Sequence, residues 1–248
     1  MRIILSPAKK MNEDLDSIEP QGLPQFIRDS EEILLWLKSQ SKDELQKLCN
    51  CNDTIAKQNV ERIKHMDLYS RLTPAILSYE GIAYQYMAPM VFEQNQFDYV
   101  QEHLRILSGF YGVLKPMDGV TPYRLEMQAK AEIGHSKNLY DLWGNRLYEA
   151  IRDESGIIIN LASKEYAKCI EKYIKEDDRY ITVTFCEKSG EKLVTKGTYA
   201  KMARGEMVRF MAEMNIEEPE DIKKFDRLGY VYRENISTDR NYIFERIK

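Results

Sequence analysis

Residues 157 to 166 read Ile-Ile-Ile-Asn-Leu-Ala-Ser-Lys-Glu-Tyr. A short β-branched run of this kind, with no polar alternation, fits a strand buried on both faces, as in a parallel sheet. Ala162-Ser163-Lys164-Glu165-Tyr166 then opens a helix. Strand, polar turn and helix in that order aim backbone amides at an anion.

Working outward, Leu139 to Ile151 reads as a helix that Gly156 breaks, and Ile181 to Cys186 alternates as a strand. Ser189-Gly190 turns that strand, and Leu193 to Thr195 pairs back as a hairpin. Tyr199 to Met211 is an amphipathic helix, with Tyr199, Met202, Ala203, Met207 and Phe210 on one side and Lys201, Arg204 and Arg209 on the other. Tyr230 to Tyr232 and Tyr242 to Phe244 form a terminal strand pair. At the other end, Arg2 to Leu5 is a strand that delivers the loop Ser6-Pro7-Ala8-Lys9. Helices follow from Pro24 to Leu37, after the capping-box signal Ser41 to Glu44, and from Asp53 toward Met66. With no repeat, linker or low-complexity tract, the expectation is one mixed α/β (α+β) domain over residues 1–248, a central mixed sheet flanked by helices.

The richest turn chemistry lies in Gln101 to Met127, QEHLRILSGFYGVLKPMDGVTPYRLEM. Phe97, Val100, Leu104 and Leu107 recur at helical steps, which predicts a helix to Leu107 ended by Gly109 as a left-handed cap. Met117-Asp118-Gly119 and Thr121-Pro122 read as turns. Arg105, Lys115 and Arg124 suggest that the bend meets an anion. Leu107 to Gly112 also has the look of a glycine hairpin that holds DNA backbone between two helices, although its glycines flank two residues rather than one. A helix cap followed by a turn competes equally.

Composition excludes several classes. A formal charge of −4 argues against a protein that coats nucleic acid through bulk charge, while a local basic cleft stays open. The longest apolar runs, Ile157–Ile159 and Ile33–Leu37, are far short of a membrane span, and MRIILSPAKK lacks the pattern of a signal peptide. Four cysteines in 248 residues make no disulfide framework; Cys49 and Cys51 read as reduced thiols. A cytoplasmic location is expected. His65, His103 and His135 stand apart from other ligand-type residues, so neither a metal site nor a cofactor is expected. Ser6 and Lys9 have the SxxK spacing of acyl-transfer enzymes, but the companion motifs are missing.

What remains is a dispersed cationic set: Lys9, Arg105, Lys115, Arg124, Lys164, Lys201 and Arg204. Such residues often do no more than solvate helix faces. Most of these, however, sit at element ends beside Gly, Pro, Ser or Tyr, where loops converge on one cleft. Tyr84, Tyr111 and Tyr123 are candidates to stack on unpaired bases, although the segment GIAYQYMAPM around Tyr84 also suits plain core packing. Sixteen tyrosines overall supply amphipathic area for such a cleft.

Several blocks taken together resemble the bacterial peroxide-stress protein family YaaA: Ser6-Pro7-Ala8-Lys9, LRILSGFYGVLKPMD with Pro122 to Met127, Leu139 to Gly144, Ile159 to Tyr166, and Lys201 to Gly205. They occur in the family's order and spread over essentially the whole chain. The resemblance implies a cytoplasmic protein that limits peroxide damage by lowering free iron. It also implies a single compact fold of unusual topology, and a basic cleft that binds duplex or branched DNA with the help of a helix-hairpin-helix element. The seven cations above are the positions it carries over. Met11-Asn12 and Gln85-Tyr86-Met87 depart from the pattern and leave substrate or sequence preference open. An enzyme acting on a small phosphorylated or carboxylated ligand is the alternative, with Asp141, Glu126 or Glu165 as acid or base. No membrane partner is expected.

Overall fold

The isoleucine run is the strand Ile157–Asn160, and in a computed structural model that describes residues 1–247 it lies inside an eight-stranded mixed sheet. The sheet order is Tyr230–Tyr232, Asn241–Arg246, Arg179–Ser189, Ile157–Asn160, Arg2–Leu5, Leu104–Ser108, Gly112–Leu114, with Lys192–Val194 paired to Arg179–Ser189. The five central strands run parallel, with Ile3 facing Ile159 on one side and Leu104 on the other. Antiparallel partners close the rims. Helices flank the sheet, and Ile3, Ile4, Ile158 and Ile159 are fully buried, as both-face coverage requires.

Most expected elements are found. Ile27–Ser39, Lys42–Leu48, Asp53–His65 and Gly197–Glu213 are helices, and Ser41 with Glu44 makes the reciprocal capping box. Leu139 to Ile151 is two helices, Leu139–Trp143 and Arg146–Ile151, because Gly144 turns the chain at φ 53°.

The bend is different in kind. The helix runs over Gln94–His103, and Leu104–Ser108 is a strand with every residue buried. Leu104 and Leu107 satisfy a helical step, yet the edge of Arg2–Leu5 offers this segment a ladder, and tertiary pairing overrides the local pattern. Gly109 to Tyr111 therefore connect two antiparallel strands, with Ser108 facing Gly112, so the helix-hairpin-helix reading of Leu107 to Gly112 is corrected to a β-hairpin. Gly109 is no left-handed cap. It is needed because a Cβ there would stand 2.7 Å from the Leu125 carbonyl oxygen, whereas Gly112 takes the positive φ of 73°.

Arg105, one of the expected anion ligands, is turned into the protein and is only 5% exposed. Its guanidinium donates to the carbonyls of Leu104 (2.7 Å) and Gln101 (3.1 Å), and burial pulls its pKa down to about 10. Nearby Asp118 accepts from the Lys115 amide at 2.8 Å, and burial pushes its carboxyl up to about 6. The folded protein thus holds this proton more tightly than the unfolded chain, where 3.8 is the ordinary value. The carboxylate costs stability as pH rises through that interval and costs nothing below it. Asp118→Asn keeps an acceptor for Lys115, and it is expected to stabilise the protein by about 2 kcal/mol at neutral pH. Urea unfolding should show that gain vanish at about pH 3.5; a gain that persists there assigns it to something other than this charge.

Candidate functional site

The chain leaves Arg2–Leu5 toward one side of the sheet and leaves Ile157–Asn160 toward the other. Between such neighbours the carboxyl ends of parallel strands open a crevice, the usual place for a ligand in an open α/β sheet. A cleft of about 490 Å³ lies there, lined by Leu5 to Lys10, Glu80 to Tyr84, Tyr123 to Glu126, Leu161, Ser163, Glu165, Tyr166, Lys201 and Arg204.

Two loops meet at its base. The Ser163 amide donates to Ser6 Oγ at 2.8 Å, and Ser6 Oγ donates to Ser163 Oγ at 3.2 Å. Tyr84 donates its hydroxyl to the Ser6 carbonyl at 3.1 Å. Ser6 is thereby committed to the loop, and Lys9 Nζ lies 2.9 Å from Glu126, so the SxxK pair is not assembled. The side walls are the helix Ile82–Met87 and the helix Gly197–Glu213.

Of the expected cations, Lys9, Arg124, Lys201 and Arg204 line the cleft, together with Tyr84 and Tyr123. Arg105 is buried elsewhere, and Lys115 is exposed outside the cleft. Lys164 is exposed outside the cleft although its neighbours Ser163 and Glu165 line it. Tyr111 is buried behind the floor, its hydroxyl accepting from the Thr121 amide and its ring edge-on to Tyr123. Among the carboxylates, Glu126 and Glu165 face the cleft, whereas Asp141 accepts from the Lys137 amide away from it. Glu80, Lys10 and Tyr166 were missed, because a two-residue strand pairing of Lys10 with Glu80 has no local signal.

The lining carries five cationic and three acidic side chains, a surplus of two positive charges inside a protein of net −4. Lys9 and Lys10 are paired, with Glu126 and Glu80 at 2.9 and 2.7 Å. Arg124 reaches no carboxylate closer than Glu126 at 4.0 Å. Its Nε and that of Arg204 are buried with no hydrogen-bond partner, and burial lowers the Arg204 pKa. Burial likewise raises the Glu165 carboxyl, which accepts from the Gln128 amide at 3.1 Å. Guanidinium nitrogens buried without a partner are costly, and such costs concentrate at ligand sites.

No group of three or more His, Cys, Asp or Glu placed to hold a metal occurs among the described residues. All four cysteines are free thiols. Cys49 donates to the Arg124 carbonyl at 3.1 Å, and burial pushes its thiol up to about 11. Among the described residues, no helix is long and apolar enough to cross a membrane.

Fold and cleft together define a mixed α/β protein with a crevice at the switch point of its sheet, lined by five cationic and three acidic side chains. A family model described as peroxide stress protein YaaA matches residues 1–236, and the chain belongs to that family. Proteins of the same length class are similar throughout. A UPF0246 protein of Agathobacter rectalis is 68% identical over 246 residues, covering 99% of each chain. One from Lachnoclostridium phytofermentans is 57% identical over 98% of this chain and 96% of its own, and one from Desulfitobacterium hafniense is 51% identical over 98% and 97%.

Proposed function

We propose that this member of the peroxide stress family acts by binding a phosphate- or carboxylate-bearing small ligand in the cleft between Ser6–Lys10 and Arg204. The observation that carries the reading is a pair of half-buried arginines, Arg124 and Arg204, whose buried Nε atoms have no hydrogen-bond partner and which the protein itself leaves without a carboxylate in hydrogen-bond contact. Arginine grips such anions through its planar fork. A volume of about 490 Å³ suits a metabolite or a single nucleotide, and it does not admit a duplex. Limiting iron-dependent damage, which the resemblance implies, enters as the downstream consequence of that binding. On this reading Glu126 and Glu165, which line the cleft, act on the ligand as base or acid.

Thermal unfolding with phosphomonoesters, dicarboxylates and DNA oligonucleotides tests the proposal. A small anion near one hundred times its Kd should add about 2.7 kcal/mol, or a few degrees in Tm. DNA that is retained with steep salt dependence, while no small anion shifts Tm, would replace this reading with the DNA-binding one.

A further inference from the structure

The floor of the cleft carries a chain of three hydroxyls whose proton directions follow from hydrogen-bond accounting. Ser108 Oγ accepts from the backbone amides of Phe110 (3.1 Å) and Tyr111 (2.8 Å). A hydroxyl oxygen has two lone pairs, so both are used, and its proton is left for its remaining neighbour. That neighbour is the Tyr123 hydroxyl, 2.6 Å away. Ser108 therefore donates to Tyr123.

The next contact, Tyr123 to Tyr79 at 2.8 Å, can run in either direction. If Tyr123 donated, the proton of Tyr79 would have no acceptor among the described residues, on a side chain that is 2% exposed and outside the cleft lining. A stranded buried donor costs about 1–3 kcal/mol. If Tyr79 donates, the proton left over belongs to Tyr123, which does line the cleft, and a ligand or water can accept it. Only the second arrangement leaves the spare proton on a residue that lines the cleft.

Resting on the anion-cleft reading above, we infer that Tyr123 is the proton donor of the cleft, aiming its O–H at an oxyanion ligand while Ser108 and Tyr79 donate into its oxygen from behind. The ligand oxygen is then met by one phenol and by the guanidiniums of Arg124 and Arg204. If the proton transfers, the phenol O–H bond breaks and its electron pair stays on the phenolate oxygen. A new bond to hydrogen forms on the ligand, and solvent returns the proton afterwards. The two hydroxyl donors stabilise that phenolate in place. The surroundings agree: burial raises Tyr123 to about 12, with the Ser108 and Tyr79 hydrogen bonds acting the other way, whereas burial drives Tyr79 and Tyr84 well above the ordinary phenol value.

Fluorotyrosine at position 123 keeps the hydroxyl, is acidic enough to titrate within the folded range, and reports by 19F NMR. Tyr79→Phe should raise the Tyr123 titration midpoint by about one pH unit, because a donor to the phenolate is lost. A lowered or unchanged midpoint would show that Tyr79 does not donate to the Tyr123 oxygen; either overturns the inference. Ser108→Ala should also raise it, but that change strips two amides of their acceptor, so the decision rests on Tyr79→Phe. Saturating inorganic phosphate should move the 19F resonance. Phosphate that binds by calorimetry without moving it counts against Tyr123 as donor. If neither phosphate nor acetate binds, the anion-cleft reading is what fails, and the Tyr79→Phe titration still decides whether Tyr79 donates to the Tyr123 oxygen.

Discussion

Gly205→Ala destabilises the protein by about 3 kcal/mol or more, and Gly205→Val prevents folding. Gly205 lies inside the helix Gly197–Glu213, where alanine is ordinarily better than glycine by about 1 kcal/mol. Here the sign reverses. A Cβ at this position would overlap the carbonyl oxygen of Ala83 and stand 2.7 Å from its carbonyl carbon and 3.0 Å from its Cα. These are backbone atoms of the helix Ile82–Met87, so no side chain can swing aside to relieve the contact. The two helices are the walls of the cleft, and Gly205 sets how close they come. Gly81 does the same at the mouth, where a Cβ would meet that of Ala8 at 2.9 Å. Urea midpoints for Gly205→Ala decide the matter, since a gain in stability would mean that the helices do not touch in this way.

Arg204→Ala should weaken binding of the small anion about 100-fold while leaving the ligand-free protein as stable or slightly more stable. A charge-assisted, forked contact is worth about 1.5–3 kcal/mol, and 2.7 kcal/mol corresponds to that factor. The stability half of the expectation is the sharper one. Most arginines that are mostly buried destabilise a protein when removed, because a partner is left behind. Arg204 leaves none: its Nε has no hydrogen-bond partner, and burial already disfavours its charge. Arg204→Lys should recover part of the affinity, as a point charge without the fork. Calorimetric binding and unfolding of the same variants would settle it. A large loss of stability in Arg204→Ala, with ligand affinity unchanged, would make this a structural arginine.

Much of the architecture follows from local pattern. The Ile157–Asn160 run, the strand Arg2–Leu5 and the Ser41–Glu44 capping box each carry their signal within a few residues. The same holds for the terminal pair Tyr230–Tyr232 and Asn241–Arg246. These are matters of side-chain period and turn chemistry, which are properties of neighbours along the chain. The loop Ser6 to Lys9 and the turn at Ser163 were recognisable as cleft material for the same reason.

The bend at Leu104 to Ser108 was not legible, because its apolar spacing satisfies a helix and a buried strand alike, and the free edge of Arg2–Leu5 settled the matter. Cation placement was legible only in part. Arg105 and Arg124 both looked like anion ligands, yet Arg105 lies on the strand Leu104–Ser108, buried at every position, whereas Arg124 lies in the irregular segment that follows Gly119–Val120. Strand pairing turned Arg105 inward to main-chain carbonyls, and the irregular segment carries Arg124 into the crevice. The hydroxyl chain Ser108–Tyr123–Tyr79 joins residues 15 and 44 positions apart. Residue order alone specifies most of the elements this chain forms and that it carries cationic side chains at their ends. Which of them share a crevice, and in which direction their protons point, depends on strand pairing and burial between distant segments, and those exist only in the folded protein.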